Sequence, residues 1–184
     1  GINAEYGEMP VLRTNVAVVG DPQVGKTTLI NAYCNDTKQA KQISPTMMPE
    51  IYVKKIKIPE TAFQVEVTLI DAPSHRLAQP LTAKAISECD FVILVINAQC
   101  QHSQDAARQY LAFYRDATMQ EKPKGILVQN FSFEGQDVMS EDQLQIFAQQ
   151  LGMPVVKCNA QSGKDIDIPF MMIANAAYNL QAKK

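Results

Sequence analysis

Eight consecutive residues near the start of the chain have the types and the spacing that phosphate binding requires. They read Gly-Asp-Pro-Gln-Val-Gly-Lys-Thr at positions 20–27 and match the pattern G-x-x-x-x-G-K-[ST]. In such a loop, successive backbone N–H groups surround phosphate oxygens, the lysine reaches the outer phosphates, and the final hydroxyl ligates Mg²⁺. The pattern therefore predicts that phosphate is bound by Asp21, Pro22, Gln23, Val24, Gly25, Lys26, Thr27 and Thr28.

The segments on either side of this loop are those that the motif needs. Val16–Val19 is a short apolar run and is predicted to be a buried strand. After the loop, Leu29, Ile30 and Tyr33 lie at helical spacing. Strand, glycine loop and helix in this order would point the positive end of the helix dipole at a bound anion.

Two residues further along extend the predicted site to a metal ion. Asp71 ends a predicted strand, where a phosphate-loop protein needs a carboxylate to hold Mg²⁺. Thr46 lies in a long polar segment and is suited to ligate Mg²⁺ and to sense the terminal phosphate. The predicted metal ligands are thus Thr27, Thr46 and Asp71. Asp71 and His75 are candidates for a catalytic role, but the sequence pattern assigns that role to neither.

Composition limits the class of protein and its partners. The length of 184 residues suits one domain, and 46% hydrophobic with 20% charged residues is typical of a soluble globular chain. The net charge of −2 argues against nucleic acid as a partner. Cysteines without a Cys-x-x-Cys pair predict reduced thiols and a cytoplasmic protein. We expect an N-terminal extension at residues 1–10, a domain at 11–184, and no direct lipid anchor.

Strand and helix patterns alternate along the chain. They predict six strands and five helices in a doubly wound, mostly parallel α/β sheet with one antiparallel hairpin edge, whose ligands bind beyond the carboxyl ends of the strands. The predicted strands are Val16–Val19, Glu50–Pro59, Ala62–Asp71, Phe91–Ile96, Gly125–Gln129 and Pro154–Cys158. The predicted helices are Thr28–Cys34, Pro80–Cys89, Ser103–Thr118, one that runs from a capping box at Ser140 to Gly152, and a last one striped by Ile166, Phe170, Ile173, Ala177 and Leu180.

The order of these features resembles the Ras superfamily of small GTPases over nearly the whole chain. The phosphate loop, the Pro45-Thr46 loop, the hairpin, Asp71 and Asn130 carry the resemblance. Within that superfamily the chain is most similar to the Rab-like members of the intraflagellar transport B complex. The segments that carry this narrower likeness are Val53-Lys54, Ile58–Thr61 leading to Val65–Val67, Gly125–Asn130 and Ile168–Phe170.

The resemblance implies a P-loop small GTPase fold (a G domain) that binds GTP or GDP with Mg²⁺. It implies a nucleotide-regulated subunit in place of a metabolic enzyme, with base contacts from Asn130, Ala160 and Gln161. It also implies intraflagellar transport protein 25 and the B complex as protein partners, and a location in the cilium or flagellum.

Three departures from the superfamily pattern predict weak or absent GTP hydrolysis. The pattern D-x-x-G-Q appears as Asp71-Ala72-Pro73-Ser74-His75, so histidine stands where glutamine would orient the attacking water. Serine replaces the glycine beside it and restricts the loop. Pro22 removes an N–H donor next to the terminal phosphate. A surface histidine without a catalytic role is the favoured interpretation of His75.

The base-recognition motif has changed as well. The pattern N-K-x-D appears as Asn130-Phe131-Ser132-Phe133, and Phe133 cannot accept the two N–H bonds that aspartate takes from guanine. Two such bonds are worth roughly 3–6 kcal/mol. Stacking of Phe131 on the base would offset part of that loss. A shifted register that uses Glu134 or Asp137 is an alternative.

Two functions remain open, and a third is disfavoured. The first is a nucleotide-binding switch with at most slow GTPase activity. The second is a structural adaptor that keeps the fold without the nucleotide cycle and acts through protein–protein binding. A P-loop small-molecule kinase would need an arginine-rich lid, and the four arginines, at positions 13, 76, 108 and 115, form no cluster in the sequence.

Overall fold

A computed structural model describes residues 9–21, 24–34, 49–73, 80–100, 102–131 and 135–182. This part of the chain contains six strands and five helices, as predicted. The strands are β1 (Val11–Gly20), β2 (Glu50–Lys57), β3 (Gln64–Asp71), β4 (Phe91–Ile96), β5 (Gly125–Asn130) and β6 (Val155–Cys158). The helices are α1 (Lys26–Tyr33), α2 (Pro80–Ile86), α3 (Ser103–Thr118), α4 (Glu141–Leu151) and α5 (Ile168–Ala182).

The strands form one sheet in the order β2-β3-β1-β4-β5-β6. Every neighbouring pair is parallel except β2 and β3, which pair antiparallel from Glu50↔Asp71 to Lys57↔Gln64. The predicted doubly wound α/β sheet with one hairpin edge is therefore confirmed. The connection from β2 to β3 is short, which allows the antiparallel pairing, whereas each parallel neighbour needs a crossover.

Strand β1 begins earlier than its apolar run suggested. It starts at Val11, and its first half pairs only with β3, because pairing with β4 begins at Val16↔Phe91. Polar residues are tolerated in this half of β1 because some of their side chains are exposed to solvent and others form hydrogen bonds. Thr14, which is buried, donates its hydroxyl to the carboxylate of Asp90 at 2.9 Å.

Both faces of the sheet are covered by helices, which explains the continuous apolar runs. Val16 and Val18 belong to a core shared with α1 and α5, whereas Ala17 and Val19 belong to a second core shared with α2, α3 and α4. All six residues of β4 are buried, as expected for a strand packed on both faces. These two cores hold the carboxyl ends of β1, β3 and β5 in fixed relative positions.

The helix ends follow the sequence signals with two exceptions. Helix α2 ends at Ile86, three residues before the predicted end at Cys89, because the chain leaves the helix in a turn in which the Cys89 N–H donates to the Ile86 carbonyl. The capping box is present, since Ser140 accepts from the Gln143 N–H and the Gln143 side chain accepts from the Ser140 N–H. Gly152 ends α4 with φ of 67°. Ile166, by contrast, was wrongly placed in the last helix, because α5 begins at Ile168. Ile166 packs against the core from the preceding turn, which would produce the same apolar stripe in the sequence.

The four cysteines are free thiols, and Cys34, Cys89 and Cys158 are buried. Burial, reinforced by the charge of Asp90, raises the pKa of Cys89 to about 12. Burial and the charge of Asp165 raise the pKa of Cys158 to about 11. These two thiols therefore stay protonated at neutral pH. Within the described ranges, no helix is long and apolar enough to cross a membrane.

Candidate functional site

The glycine loop begins where β1 ends, and each of its glycines meets a steric need. A Cβ on Gly20 would lie 2.6 Å from the backbone oxygen of Val95 on the neighbouring strand β4. Gly25 has φ of 79°, and a Cβ there would lie 2.2 Å from the side-chain nitrogen of Asn130. Both positions therefore exclude larger residues, one through close strand packing and one through its left-handed backbone. Pro22 and Gln23 lie outside the described residues.

Lys26, Thr27 and Asp71 meet at the carboxyl ends of β1 and β3. The Lys26 ammonium lies 2.5 Å from Oδ1 of Asp71 and donates to the backbone oxygen of Ala72 at 2.6 Å. The Thr27 hydroxyl lies 3.3 Å from Oδ2 of the same carboxylate. Lys26 is only 5% exposed and Asp71 6%. The motif and the strand-terminal aspartate, 45 residues apart in sequence, thus form one buried cluster.

The donor set of this cluster suits phosphate. An ammonium has three N–H donors, and two of those on Lys26 point at Asp71 and Ala72, which leaves one for a phosphate oxygen. The helix α1 begins at Lys26 itself, and the first N–H groups of a helix, which have no acceptor within it, favour an anion at that end.

The same cluster suits Mg²⁺. A hydroxyl and a carboxylate are hard oxygen ligands, and Mg²⁺ usually takes only one or two from protein and keeps waters or phosphates for the rest. Within the described ranges no group of three acidic, histidine or cysteine side chains is placed to hold a metal ion. Thr27 and Asp71 are the residues that would hold the ion. The third predicted ligand, Thr46, lies outside the described residues and stays a prediction.

Asn130, at the end of β5, connects the phosphate loop to the loop after β6. Its side-chain nitrogen donates to the backbone oxygen of Val24 at 3.0 Å, and its Oδ1 accepts from the Ala160 N–H at 3.0 Å. The predicted base-binding residues Asn130 and Ala160 are therefore brought together. Because the Ala160 N–H is engaged by Asn130 here, its role toward a base stays a prediction.

A pocket of about 190 Å³ lies beside this connection. Gln161, the third residue predicted to bind the base, lines it together with Thr28 and Phe131. Asn97 also lines the pocket and was missed, although its position directly after β4, at the carboxyl end of a core strand, was a usable signal. The pocket thus combines an aromatic ring with amide groups, a chemistry suited to a flat heterocycle.

Several sequence predictions cannot be placed relative to this site. His75, Phe133 and Glu134 lie outside the described residues, so the slow hydrolysis, the lost guanine contacts and the shifted register stay predictions. Asp137 is exposed and does not line the pocket. It offers no support for the shifted register.

Comparison with known proteins places this geometry in context. Residues 15–179 match the model of the Ras family. Intraflagellar transport protein 27 of Chlamydomonas reinhardtii is 27% identical to the chain over an alignment 181 residues long, and the alignment covers 91% of this chain and 85% of that protein.

Proposed function

The chain belongs to the Ras family of small GTPases, and on that basis we propose that it is a Rab-like, nucleotide-regulated subunit of an intraflagellar transport complex. Membership of the family implies guanine-nucleotide binding. The observation that carries the proposal is the meeting of Lys26, Thr27 and Asp71 at the carboxyl ends of β1 and β3. The likeness to an intraflagellar transport protein supplies the cellular setting.

In this proposal each residue of the cluster has a distinct task. Lys26 neutralises phosphate charge, and Asp71 orients both Lys26 and Thr27. Thr27 and Asp71 would hold Mg²⁺, which would supply further charge neutralisation for a bound phosphate. Asn130 fixes the loop through Val24, so that the backbone N–H groups keep their direction. Thr46 would couple the terminal phosphate to a partner-binding loop.

Hydrolysis is expected to be slow at most. His75 replaces the glutamine that orients water in the superfamily pattern, and Ser74 replaces a glycine. The protein would then stay in its triphosphate form for long periods unless a second protein supplied the missing group. Its proposed partners are intraflagellar transport protein 25 and the B complex, and its proposed location is the cilium or flagellum.

A structural adaptor is the alternative, and two observations favour it. Asp71 neutralises the Lys26 ammonium and the Ala72 carbonyl accepts one of its N–H bonds, so Lys26 has partners within the protein without a bound phosphate. The replacement of the base-reading aspartate by Phe133 points in the same direction. In this alternative, the partner binds the chain equally well with or without nucleotide.

Titration of fluorescent GTP, GDP and ATP analogues, with and without Mg²⁺, tests the proposal. We expect Mg²⁺-dependent binding with a preference for guanine nucleotides, and its loss in Lys26→Ala. Lys84→Ala, on the exposed face of α2, is the matched control and should bind as the unaltered protein does. Equal weak binding of GTP and ATP analogues, or none, would refute the switch.

Co-purification with intraflagellar transport protein 25 separates the two functions. A switch should lose nucleotide and its partner response together in Lys26→Ala. An adaptor should retain the partner in that variant, at the affinity of the Lys84→Ala control.

A further inference from the structure

A second and larger concavity lies at the opposite end of the sheet from the phosphate loop. It encloses about 620 Å³, within the size range of small-molecule sites. Gly125, the first residue of β5, lines it, whereas Asn130, the last residue of β5, contacts the loop. The two sites are therefore separated by the length of β5, roughly 17 Å.

Unequal strand lengths create this groove. Strand β6 has only four residues, and its pairing with β5 begins at Leu127↔Val155. Gly125 and Ile126 extend beyond that point, so no residue of β6 pairs with them. The second half of α5 crosses nearby and forms the opposite wall. The groove is thus the space between an uncovered strand start and a helix.

The interior of the groove is apolar and reaches the protein core. Its floor includes Ile126 and Ile173, which are 3% and 2% exposed and belong to the core under α5. Its wall includes Ala176 on α5, and at its rim stands Leu180, which is 46% exposed. A groove with buried apolar side chains at its floor and an exposed apolar side chain at its rim suits an apolar chain.

The rim of the groove is positively charged. Lys122 and Lys124 both line it and both are exposed. No aspartate or glutamate lines it among the described residues, and neither lysine pairs with a carboxylate there. This local excess of positive charge stands on a chain whose net charge is −2.

We propose that this groove binds a small amphiphile, a molecule with one apolar chain and one anionic head group. The chain lies against Ile126, Ala176 and Leu180, and the head group lies between Lys122 and Lys124. A carboxylate and a phosphate head satisfy the same chemistry. The site is separate from the nucleotide site, so the proposal does not depend on the proposed function.

Displacement of the fluorescent fatty acid cis-parinaric acid by dodecanoate, dodecyl phosphate and dodecanol tests the site on the full chain. We expect saturable binding of both anions. Lys122→Ala/Lys124→Ala should weaken their binding by about three- to tenfold and leave dodecanol unchanged, since exposed charge pairs contribute little each. Lys55→Ala/Lys57→Ala, an exposed pair with the same spacing on β2, is the matched control and should change nothing.

Two variants test the location of the apolar chain. Ala176→Phe should fill the groove and abolish binding of all three compounds. Leu180→Glu, at an exposed position that tolerates a charge, should weaken binding of all three compounds by removing an apolar contact, and should weaken the two anions more than dodecanol because the new carboxylate also repels them. Thermal unfolding followed by circular dichroism verifies that each variant folds, without reference to nucleotide.

Three results would each overturn the proposal. The first is no saturable binding of either anion to the unaltered protein. The second is an equal loss of affinity in the two double-lysine variants. The third is full binding in both Ala176→Phe and Leu180→Glu. If the first result is found and a protein partner covers the groove in a purified complex, the groove is a protein interface. A tighter complex with dodecyl phosphate than with dodecanoate would assign the head group as phosphate.

Discussion

The Lys26–Asp71 pair shows how a single contact can serve both stability and binding. Its side chains are 6% and 7% exposed, so each charge depends on the other for compensation. Pairs of this kind add little net stability compared with apolar residues, yet loss of one partner leaves a buried charge unpaired at a cost of about 3–5 kcal/mol. A bound phosphate would compensate the charge of Lys26, and a bound metal ion would compensate the charge of Asp71. Neither charge would then be left unpaired when the two side chains separate.

Lys26→Met should therefore lower the free energy of unfolding in the absence of nucleotide. We expect a loss of roughly 3 kcal/mol, because among the described residues Asp71 would retain only the more distant Thr27 hydroxyl as a side-chain partner. Lys26→Met/Asp71→Asn, which removes both charges, should recover part of that loss. Urea unfolding of the two variants and the unaltered protein measures this. Equal stability of all three proteins would contradict the importance of the pair.

Gly25→Ala should be more damaging than its backbone angle alone implies. Gly25 and Gly163 have nearly the same φ, 79° and 80°, but a Cβ at 163 meets nothing within 4 Å, whereas one at 25 meets Asn130 at 2.2 Å. Gly163→Ala thus measures the backbone strain alone, about 1 kcal/mol. We expect Gly25→Ala to lose at least a further 1 kcal/mol or so on urea unfolding, because the Asn130 amide must move. Equal losses would show that Asn130 gives way freely.

At the scale of secondary-structure elements, Asn130 joins three segments that are distant in sequence. It holds the loop before α1 through Val24 and the loop after β6 through Ala160. A second amide, Asn159, reinforces the connection by donating to the Phe131 carbonyl at 2.7 Å. Phosphate and base contacts should therefore depend on Asn130 even where it touches no ligand atom.

Asn130→Ala should weaken binding of a fluorescent GDP analogue by about tenfold or more, since two hydrogen bonds that order the site are lost. Asn130→Asp should be intermediate, because it keeps the acceptor for Ala160 and loses the donor to Val24. Asn175→Ala, an exposed amide on α5, serves as the control. If Asn130→Ala bound the analogue as tightly as the control, the bridging role would be wrong.

The elements that sequence predicted well are those with a local signal. Strand β4 is apolar throughout, and the capping box fixes the start of α4, so both followed from neighbouring residues alone. The start of β1 could not be predicted from neighbouring residues. Arg13 and Asn15 are polar, and they belong to the strand through pairing with β3, which is distant in sequence. Ile166 was wrongly predicted to be helical because a residue in a turn can also pack against the core, and its position in the sequence then matches helical spacing.

The same distinction applies to the candidate site. A motif with fixed spacing identified Lys26 and Thr27, and the rule for strand ends identified Asp71, so their meeting could be expected. Asn97 belongs to no motif, and although it directly follows β4, its contribution to the pocket became clear only in the folded sheet. The apolar groove was equally invisible in sequence, because it results from the register between β5 and a shorter β6.

At the scale of the whole molecule, the candidate nucleotide site draws on β1, β3, β4 and β5, the central strands of the sheet. These strands are packed by two separate cores, one on each face. A ligand that contacts all of these strand ends resists their separation, so its binding free energy should appear as stability of the entire domain. Ligand present at a hundred times its Kd stabilises the folded state by about 2.7 kcal/mol.

Saturating GDP with Mg²⁺ should accordingly raise Tm by roughly 5–10 °C for a chain of this size. Chelation of Mg²⁺ should remove part of the shift, since Thr27 and Asp71 would then lose their shared ion, and Lys26→Ala should remove nearly all of it. Differential scanning fluorimetry with GDP, GTP and ATP in parallel measures all three effects. An equal shift with ATP would show that the base pocket around Phe131 and Gln161 does not discriminate between purines. No shift with any nucleotide would leave the Lys26–Asp71 pair as a purely internal contact and favour the adaptor, because a fold that gains no stability from nucleotide cannot be switched by it.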